Sequence, residues 1–266
     1  MALSVLIKGA GEHASGSAHR LFHCGFRVVM TEVAAPTAVR RRVAFSQAVY
    51  DGTCTVEGVT GRLWRPAEVP FRQGFSWDHI PIFVDPGGSL IPLLRPAVVL
   101  DARLLKRDQG VQIHEAPLVI GLGPGFMAGR DVHVVVETHR GHDLGRVIRA
   151  GSAAADTGTP GEIGGHGAER VLRAPVGGNV EVLRDIGSLV APGDLLARVG
   201  GAQVRSPIAG VVRGMIQPGS LVPAGLKIGD VDPRGDVAAC ATLSDKTRTI
   251  SGGVLEAILA WQAGAR

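Results

Sequence analysis

At 266 residues, with 45% hydrophobic and 20% charged residues, the chain is long enough to bury one large core or two modest cores. The formal net charge of +4 comes almost entirely from arginine, which favours bidentate contact with phosphate or carboxylate. Aromatic residues make up only 4% of the chain and are not interleaved with basic runs. The composition therefore excludes a typical nucleic-acid-binding protein and favours small anionic ligands.

Membrane and secretory signals are not evident in the sequence. The apolar runs are short and broken by Gly, Pro or Arg, and MALSVLIKGAG lacks the basic and long apolar regions of a signal peptide. Cys24, Cys54 and Cys240 are far apart and odd in number, which disfavours a disulfide framework or a CxxC metal site. We expect a cytoplasmic protein with reduced thiols and no membrane partner, and leave open whether it forms homo-oligomers.

Residues 1–150 alternate short apolar strands with helical segments, which predicts a Rossmann-like parallel sheet domain of the α/β class. The pattern from 55 to 79 is irregular and predicts no element. Helices are predicted over 14–25 and over 37–52, the second with Thr37 as its N-cap. Strands are predicted at 4–8, 27–32, 80–86, 97–103, 117–123 and 132–138.

The second half of the chain is rich in Gly and Pro and contains an internal repeat. GNVEVLRDIGSLVAPG (178–193) and GVVRGMIQPGSLVPAG (210–225) share three glycine positions and the segment GSLV at an offset of 32 residues. Copies this short cannot each enclose a hydrophobic core, so we expect the two copies to interlock around a shared core. The segmentation predicted after residue 150 is a linker (151–173), a β module (174–234) and a C-terminal segment (235–266) with a helix over 251–262.

The segment GDLLARVGGAQVRSPIAGVVRGMIQPGSLV resembles biotinyl and lipoyl domains, which implies a small β barrel-sandwich. A carrier of biotin or lipoate needs a lysine at its tip hairpin, because the lysine amine forms the amide bond to the cofactor. Here the hairpin VGGAQV (199–204) has no lysine, and Lys227 lies in the other half of the module. We therefore expect a structural or protein-docking module without covalent biotin or lipoate.

The loop KGAGEHASG follows the first strand, with glycines spaced as GxGxxxxG and not as the GxGxxG of dinucleotide-binding loops. Glycine allows the backbone to approach a phosphate, and the N-terminus of the following helix attracts negative charge. Glu32, at the end of the second strand, is placed to accept a hydrogen bond from a sugar hydroxyl. A phosphate-bearing ligand, an NAD site and an empty turn all remain open. The residues predicted to cradle the phosphate are Gly9, Gly11, Ser15 and Gly16.

A second glycine loop, GLGPGFMAGRD (121–131), follows a later strand. Gly123 and Gly125 either close over the same ligand or only turn the chain. Near the start of the second predicted helix, Thr37 and Arg40 either grip a terminal phosphate or lie on a solvated basic face. The sequence does not decide between these alternatives.

Evidence for catalytic or metal chemistry is sparse. His139 and His142 lack a third ligand at a suitable spacing, so no metal site is predicted. Cys54 has neither His nor Cys beside it and is either a nucleophilic thiol or inert packing. Neither GxSxG nor HExxH occurs. No catalytic residue is therefore assigned, and whether the protein is an enzyme stays open.

Six segments along the chain together resemble one family: IKGAGEHASGSAHRL, VVMTEVAAPTAVRRRVAFSQAVYDG, VVLDARLLKR, VIGLGPGF, ETHRGHDLGRVI and SGGVLEAIL. The set resembles the accessory proteins of the selenium-dependent molybdenum hydroxylase system, which are distantly similar to xanthine dehydrogenase accessory proteins. In the xanthine dehydrogenase accessory family a GGxLE segment lies near the beginning of the chain. Here Gly252, Gly253, Leu255 and Glu256 lie at its end.

The resemblance implies a role in the maturation of a molybdenum hydroxylase. The protein would hold the molybdenum cofactor, as molybdopterin or its dinucleotide form, and help to modify it or insert it into the client enzyme. Two glycine loops and many arginines suit a phosphate-bearing pterin, and a lysine-free barrel suits protein docking. The alternative is a dinucleotide-dependent oxidoreductase with an appended docking barrel.

Overall fold

The computed structural model describes residues 2–65, 75–105, 110–158 and 161–264. Lys106 and Arg107 of one family-like segment, and residues 159–160 of the predicted linker, lie outside this part. The chain divides into two compact units, and neither is a single continuous stretch of sequence. The segment 35–43 belongs to the second unit although it interrupts the first, and the chain returns to the first unit at residue 243. The first unit comprises Met1–Ala34, Ala44–Asp156 and Leu243–Arg266, and the second comprises Ala35–Val43 and Thr157–Thr242.

The first unit is built on a nine-stranded sheet. Its strands are β1 (Ser4–Lys8), β2 (Arg27–Glu32), β3 (Thr53–Val56), β4 (Val59–Trp64), β5 (Ile80–Val84), β6 (Val98–Asp101), β7 (Leu118–Leu122), β8 (Val134–Val136) and β9 (Val147–Ile148). They are ordered β3-β4-β5-β2-β1-β6-β7-β8-β9. All neighbours from β4 to β8 in this order are parallel, and β3 and β9 pair antiparallel at the two edges. The predicted α/β class is confirmed.

The strand order places β1 at the centre of the sheet. Going outward from β1, β2 and β5 lie on one side, and β6, β7 and β8 lie on the other. This is the order of a doubly wound sheet, whose switch point lies between β1 and β6. Strands β6, β7 and β8 are buried along their whole length, because both faces of such a sheet are covered. Ligands of doubly wound sheets bind outside the carboxyl ends of the strands at the switch point.

The helices of the first unit are few. The crossover from β1 to β2 is the helix α1, and a long C-terminal helix, α4, packs along it. Two further helices are single turns. Their bounds are α1 (Glu12–His23), α2 (Ala48–Asp51), α3 (Ile91–Leu94) and α4 (Asp245–Gln262). Among the helices described, none combines the length and hydropathy needed to cross a lipid bilayer.

The predicted helix over residues 37–52 is wrong. Short 3₁₀ turns form at Arg41–Val43 and Phe45–Gln47, and only the one-turn α2 that follows them is α-helical. The consecutive residues 43, 44 and 45 are all fully buried. Three consecutive helical positions point in directions about 100° apart, so a helix with one apolar face cannot bury all three.

The C-terminal helix begins six residues earlier than predicted. Ser244 is its N-cap, and the Ser244 hydroxyl accepts a hydrogen bond from the Thr247 N–H at 3.2 Å. Ser251, the predicted start, lies inside the helix and donates to the Thr247 carbonyl. The pair of glycines that follows resembles a helix start, but Gly253 is required by packing. A Cβ atom there would stand 2.1 Å from the carbonyl oxygen of Gly145.

The second unit contains two four-stranded antiparallel sheets. Their strands are β10 (Val171–Arg173), β11 (Gly178–Val182), β12 (Leu189–Val190), β13 (Leu195–Val199), β14 (Ala202–Arg205), β15 (Gly210–Met215), β16 (Leu221–Val222) and β17 (Lys227–Asp232). One sheet has the order β10-β17-β15-β12, and the other has the order β14-β13-β11-β16. Each sheet combines strands from both copies of the repeat, so neither copy forms a sheet alone.

The repeat is visible in the backbone as well as in the strand order. An offset of 32 residues converts the first sheet of the second unit into the other, strand by strand, as Gly178 and Gly210 illustrate. The three glycines of each copy adopt matching positive φ angles, which glycine tolerates best. The pairs are Gly178 (153°) and Gly210 (154°), Gly187 (95°) and Gly219 (81°), and Gly193 (87°) and Gly225 (80°).

These glycines differ in the space around them, which gives a test of the packing. A Cβ atom on Gly210 would stand 2.2 Å from the carbonyl oxygen of Asp232, whereas nothing lies within 4 Å at Gly219. We expect Gly219→Ala to lower the free energy of unfolding by about 1–2 kcal/mol through its positive φ alone. Gly210→Ala should cost roughly 1–3 kcal/mol more, because backbone must move. Urea denaturation of both variants measures the difference, and equal losses would contradict this packing.

Candidate functional site

The candidate site lies at the carboxyl ends of the parallel strands in the first unit. The switch point between β1 and β6 brings together the loop that follows β1 and the chain that leaves β6. Glu32, the last residue of β2, lies at the same edge. The predicted site residues of the loop, Gly9 and Gly11, therefore share one end of the sheet with Glu32, which was predicted from a separate strand.

Gly9 is fixed by a close approach of two backbones. Its φ is +93°, and a Cβ atom would stand 3.3 Å from the Ala102 carbonyl oxygen and from the Arg103 amide nitrogen. The Gly9 N–H donates to the Thr31 carbonyl at 2.8 Å. Gly9 thus makes the tight turn after β1 and lets the loop pass against the chain leaving β6; a tight turn is one of the uses that glycine has in phosphate loops.

Gly11 is the open position of the loop. It is the N-cap of α1, with φ −69° and ψ −178°, and nothing lies within 4 Å of where its Cβ would stand. Its conformation is accessible to any residue. The helix N-terminus at Gly11 carries the partial positive charge that favours an anion. Among the loop residues predicted to cradle a phosphate, Gly11 offers the clearest approach for a ligand.

Glu32 is bonded directly to the glycine loop. One carboxylate oxygen accepts the Ala10 N–H at 2.8 Å, and the other accepts the Val33 N–H at 2.8 Å. Burial raises the pKa of Glu32, and the two N–H donors oppose that shift. Each carboxylate oxygen can accept more than one hydrogen bond, so Glu32 retains acceptor capacity for a sugar hydroxyl.

Ser15 and Gly16 have structural partners. The buried Ser15 hydroxyl donates to the Ala10 carbonyl at 2.9 Å and accepts the Phe45 N–H at 2.7 Å. A Cβ atom on Gly16 would stand 2.1 Å from Cγ2 of Thr247, so Gly16 permits the close contact of α1 with α4. The hydroxyl that was expected to face a phosphate faces the protein interior instead.

Glu12 and His13, the polar pair inside the loop motif, join the starts of α1 and α4. Glu12 accepts hydrogen bonds from the hydroxyls of Ser244, at 2.9 Å, and Thr247, at 3.2 Å. The Nδ1 atom of His13 lies 2.8 Å from the Thr247 hydroxyl. The unusual spacing of the glycines therefore reflects contacts between helices, which no local pattern reveals.

Two buried charged residues at the strand ends were missed by sequence reasoning. The Lys8 amine lies 2.7 Å from the Glu115 carboxylate, and both side chains are largely buried. Asp101 is fully buried and accepts from the Arg103 side chain and from its backbone N–H at 3.1 Å. The sequence did contain an indication of both residues, because a charged last residue in an otherwise apolar strand is unusual.

The second glycine loop lies at the same edge of the sheet. It follows β7, and β6 separates β7 from β1, a spacing of about 10 Å between the two strands. Gly123 and Gly125 have φ angles of +72° and +104°. A Cβ atom on Gly123 would stand 2.3 Å from the Thr138 hydroxyl, so this glycine is also required by packing.

Thr37 and Arg40 belong to the second unit, and the helix that supported their prediction does not form. Arg40 is buried and its guanidinium donates to the carbonyls of Ala239, at 3.3 Å, and Thr242, at 3.1 Å. Thr37 is exposed. Arg40 thus fastens the segment 35–43 within the second unit.

The polar segment after β8 is mainly structural. Glu137 is buried and accepts three backbone N–H groups, from Thr138, His139 and Ala154, each at 2.7 Å. His139 and His142 are exposed. Within the described ranges, no three His, Cys, Asp or Glu side chains are grouped as metal ligands.

The Cys54 thiol is half-buried and donates to the Ala44 carbonyl at 3.5 Å. Burial, and then the nearby Asp51 carboxylate, raise the pKa of Cys54 to about 11. At neutral pH it is therefore a neutral thiol, which favours packing over nucleophilic chemistry.

No family model matches the sequence. The chain is 49% identical over 258 residues to "Uncharacterized protein YqeB" of Escherichia coli K12, and the match covers 96% of this chain and 47% of that relative. The chain thus spans about half of its relative's length. Similar solved structures include the product-bound ectoine utilization protein EutE (DoeB) of Ruegeria pomeroyi (TM-score 0.28, 14% identity, 86% and 85% of the two chains). Another is an aspartoacylase family protein of Mesorhizobium loti (TM-score 0.27, 10% identity, 87% and 85%).

The contact of Gly16 with Thr247 predicts a compensating pair of substitutions. Gly16→Ala should lower the free energy of unfolding by roughly 1–3 kcal/mol, because its methyl group overlaps Cγ2 of Thr247. Thr247→Ser removes that methyl group and keeps the hydroxyl, so the double variant should regain most of the loss. A double-mutant cycle from denaturant unfolding measures the coupling. Additive losses would show that the two helices do not meet there.

The three thiols should differ in reactivity. Cys24 is exposed, Cys54 is half-buried with a raised pKa, and Cys240 is buried. A thiol reagent at neutral pH should therefore label Cys24 first. Labelling of Cys54 should accelerate as the pH rises towards about 11, because the thiolate fraction grows. Mass spectrometry of partly labelled protein identifies the sites. Fast labelling of Cys54 at neutral pH would contradict this assignment.

Proposed function

We propose that the protein binds a phosphate-bearing cofactor at the switch point of the first unit and acts as an accessory protein in the maturation of a molybdenum hydroxylase. Its cargo is the molybdenum cofactor, as molybdopterin or its dinucleotide form. One observation carries the binding site. The glycine loop lies at the switch point of a doubly wound sheet, with Gly11 open and Glu32 bonded to the same loop.

The loop residues divide the work of binding. Backbone N–H groups near Gly11 and the start of α1 hold the phosphate, because the Ser15 hydroxyl is used inside the protein. Glu32 accepts a hydrogen bond from a sugar hydroxyl of the nucleotide form. Gly123 and Gly125 border the ligand on the far side of β6. The identity of the cargo rests on the family resemblance and on the arginine-rich composition, which suits a phosphate-bearing pterin.

The second unit is proposed to be a barrel-sandwich module that docks on the client hydroxylase. Its interleaved sheets and the matching glycines of the two copies support this architecture. The tip hairpin between β13 and β14 has no lysine, and Lys227 pairs with Asp230 at 3.0 Å. Leu189 and Leu221 occupy equivalent positions in the repeat and are 63% and 78% exposed.

A dinucleotide-dependent oxidoreductase remains the competing function, because the strand order and the position of Glu32 also suit NAD. The glycine spacing GxGxxxxG is not that of an NAD loop. The two functions differ in which ligand binds and in whether hydride is transferred.

Gly11 allows a test that preserves the fold. Aspartate and asparagine are both preferred N-cap residues, and the conformation of Gly11 accepts a side chain. Gly11→Asp should weaken binding of the molybdopterin cytosine dinucleotide more than about tenfold, because its charge repels the phosphate. Gly11→Asn, a neutral match in size, should bind far more tightly than Gly11→Asp. Titrations with molybdopterin, its cytosine dinucleotide, CTP and NAD measure these affinities.

The outcomes separate the proposals. Binding of the pterin ligands that is lost in Gly11→Asp supports the cargo site. Tight binding of NAD alone, with hydride-transfer activity, supports the oxidoreductase. If Gly11→Asp binds the pterin ligands as tightly as the wild-type protein does, the glycine loop is not the binding site. Full client activity in cells that carry only this variant favours a structural scaffold with an empty loop.

A further inference from the structure

A cavity with basic side chains lies between α1 and α4 of the first unit, separate from the candidate site at the strand ends. It has a volume of about 210 Å³ and is lined by α1 from Gly16 to its C-cap Cys24, by Leu243, and by Arg248 and Ser251 in the first two turns of α4. The side chains that matter are His19, Arg20, His23, Cys24 and Arg248. We call this space the α1–α4 cavity. It plays no part in the proposed function.

The close packing of the two helices creates this arrangement. Gly16 and Gly252 carry no side chain where α1 meets α4, and Nη1 of Arg20 lies 3.6 Å from the place where a Cβ of Gly252 would stand. Arg20 therefore extends across α4. Within the part of the chain that the structure describes, the guanidinium of Arg20 makes neither a hydrogen bond nor an ion pair.

Arg248 is held in place by a carboxylate, but not all of its N–H donors are used. Nη2 of Arg248 donates to both carboxylate oxygens of Glu57, at 2.6 and 2.9 Å. Glu57 also accepts the N–H of Leu243 at 2.8 Å, which fixes the carboxylate. A guanidinium has five N–H donors in a fork. Nε and Nη1 of Arg248 remain available for a second acceptor.

Two imidazoles also line the cavity. The rings of His19 and His23 meet edge to face, with centroids 4.6 Å apart. Burial, and then the neighbouring His23 and Arg248, lower the pKa of His19, while the backbone and carboxylate of Glu57 oppose the shift. No carboxylate belongs to the described lining, although the Glu57 carboxylate that holds Arg248 also lies 4.0 Å from Nε2 of His19. An anion in the cavity would offset the repulsion among these groups.

We propose that the α1–α4 cavity binds a phosphate group, held by Arg20 and Arg248 with His19 and His23 beside it. Guanidinium groups match phosphate oxygens through paired hydrogen bonds. The unused N–H donors of the two guanidinium groups exceed the roughly four acceptor sites of a single carboxylate, which favours phosphate. The cavity is smaller than the roughly 300–1,000 Å³ of sites for drug-sized ligands. It therefore takes free phosphate or the phosphate end of a small phosphomonoester.

The test must separate ligand binding from helix stabilisation, because Arg20 and His23 also lie in the last turn of α1, where cations favour the helix dipole. The full chain is titrated with inorganic phosphate at constant ionic strength. The readouts are the NMR signals of the imidazoles of His19 and His23 and the labelling rate of the exposed Cys24. Both are local to the α1–α4 cavity, so phosphate bound at Gly11 does not produce them.

Phosphate should raise the pKa of His19 and slow the labelling of Cys24 in a saturable manner. Arg20→Gln should weaken this response by about tenfold or more, since it removes charge-assisted hydrogen bonds. Arg184→Gln, which removes the same charge from an exposed position in the second unit, should leave it unchanged. Gly11→Asp should also leave it unchanged, which separates this site from the proposed cofactor loop.

Glycerol 3-phosphate and acetate identify the ligand class. Tighter binding of glycerol 3-phosphate than of phosphate indicates a phosphomonoester, and the reverse order indicates the free ion. Acetate binding as tightly as phosphate would overturn the proposal, as would the absence of any saturable response in the wild-type protein. If Arg20→Gln fails to fold, Arg248→Gln replaces it, and an unchanged response in a folded variant also overturns the proposal.

Discussion

Two stretches of backbone meet where β1 turns into α1, and much of the first unit follows from that contact. A side chain at Gly9 would press against the Ala102 carbonyl and Arg103, and the positive φ of Gly9 already disfavours other residues. The turn sets the direction of α1. That direction places the Ser15 hydroxyl under the Phe45 N–H and Gly16 against Thr247. The edge of the sheet and the packing of the helices are therefore linked through one glycine.

Most polar groups of the loop are engaged inside the protein, which limits how the proposed ligand could be held. Ser15 and Glu12 are engaged inside the protein, and Glu32 uses part of its capacity to hold the Ala10 N–H. What remains for a phosphate is backbone at the start of α1, near Gly11. Binding through backbone dipoles recognises charge and shape more than chemical detail. A loop of this kind is compatible with the proposed role, in which a cofactor is accepted and later released.

In the second unit, the core is built from very short strands. Each sheet takes strands from both copies of the repeat, so the core forms only when the copies interleave. Turns with positive φ recur at the same places in both copies because the same chain path is used twice. The sequence repeat and its glycines were enough to predict this interleaving, since a 16-residue copy cannot enclose a core.

Local pattern was sufficient for most strands of the first unit, the repeat and the glycine loop, because apolar periodicity and glycine positions act over a few residues. It gave no prediction for the strands β3 and β4, which form an edge of the sheet at residues 53–64. It was insufficient for the segment 37–52, whose consecutive buried residues belong to no single helical face. It was also insufficient for the availability of polar groups. Ser15 is bonded to the backbone 30 residues away, and Arg40 to a carbonyl 199 residues away. Whether a hydroxyl or guanidinium faces a ligand or the protein interior depends on such distant partners, which the folded chain alone brings together.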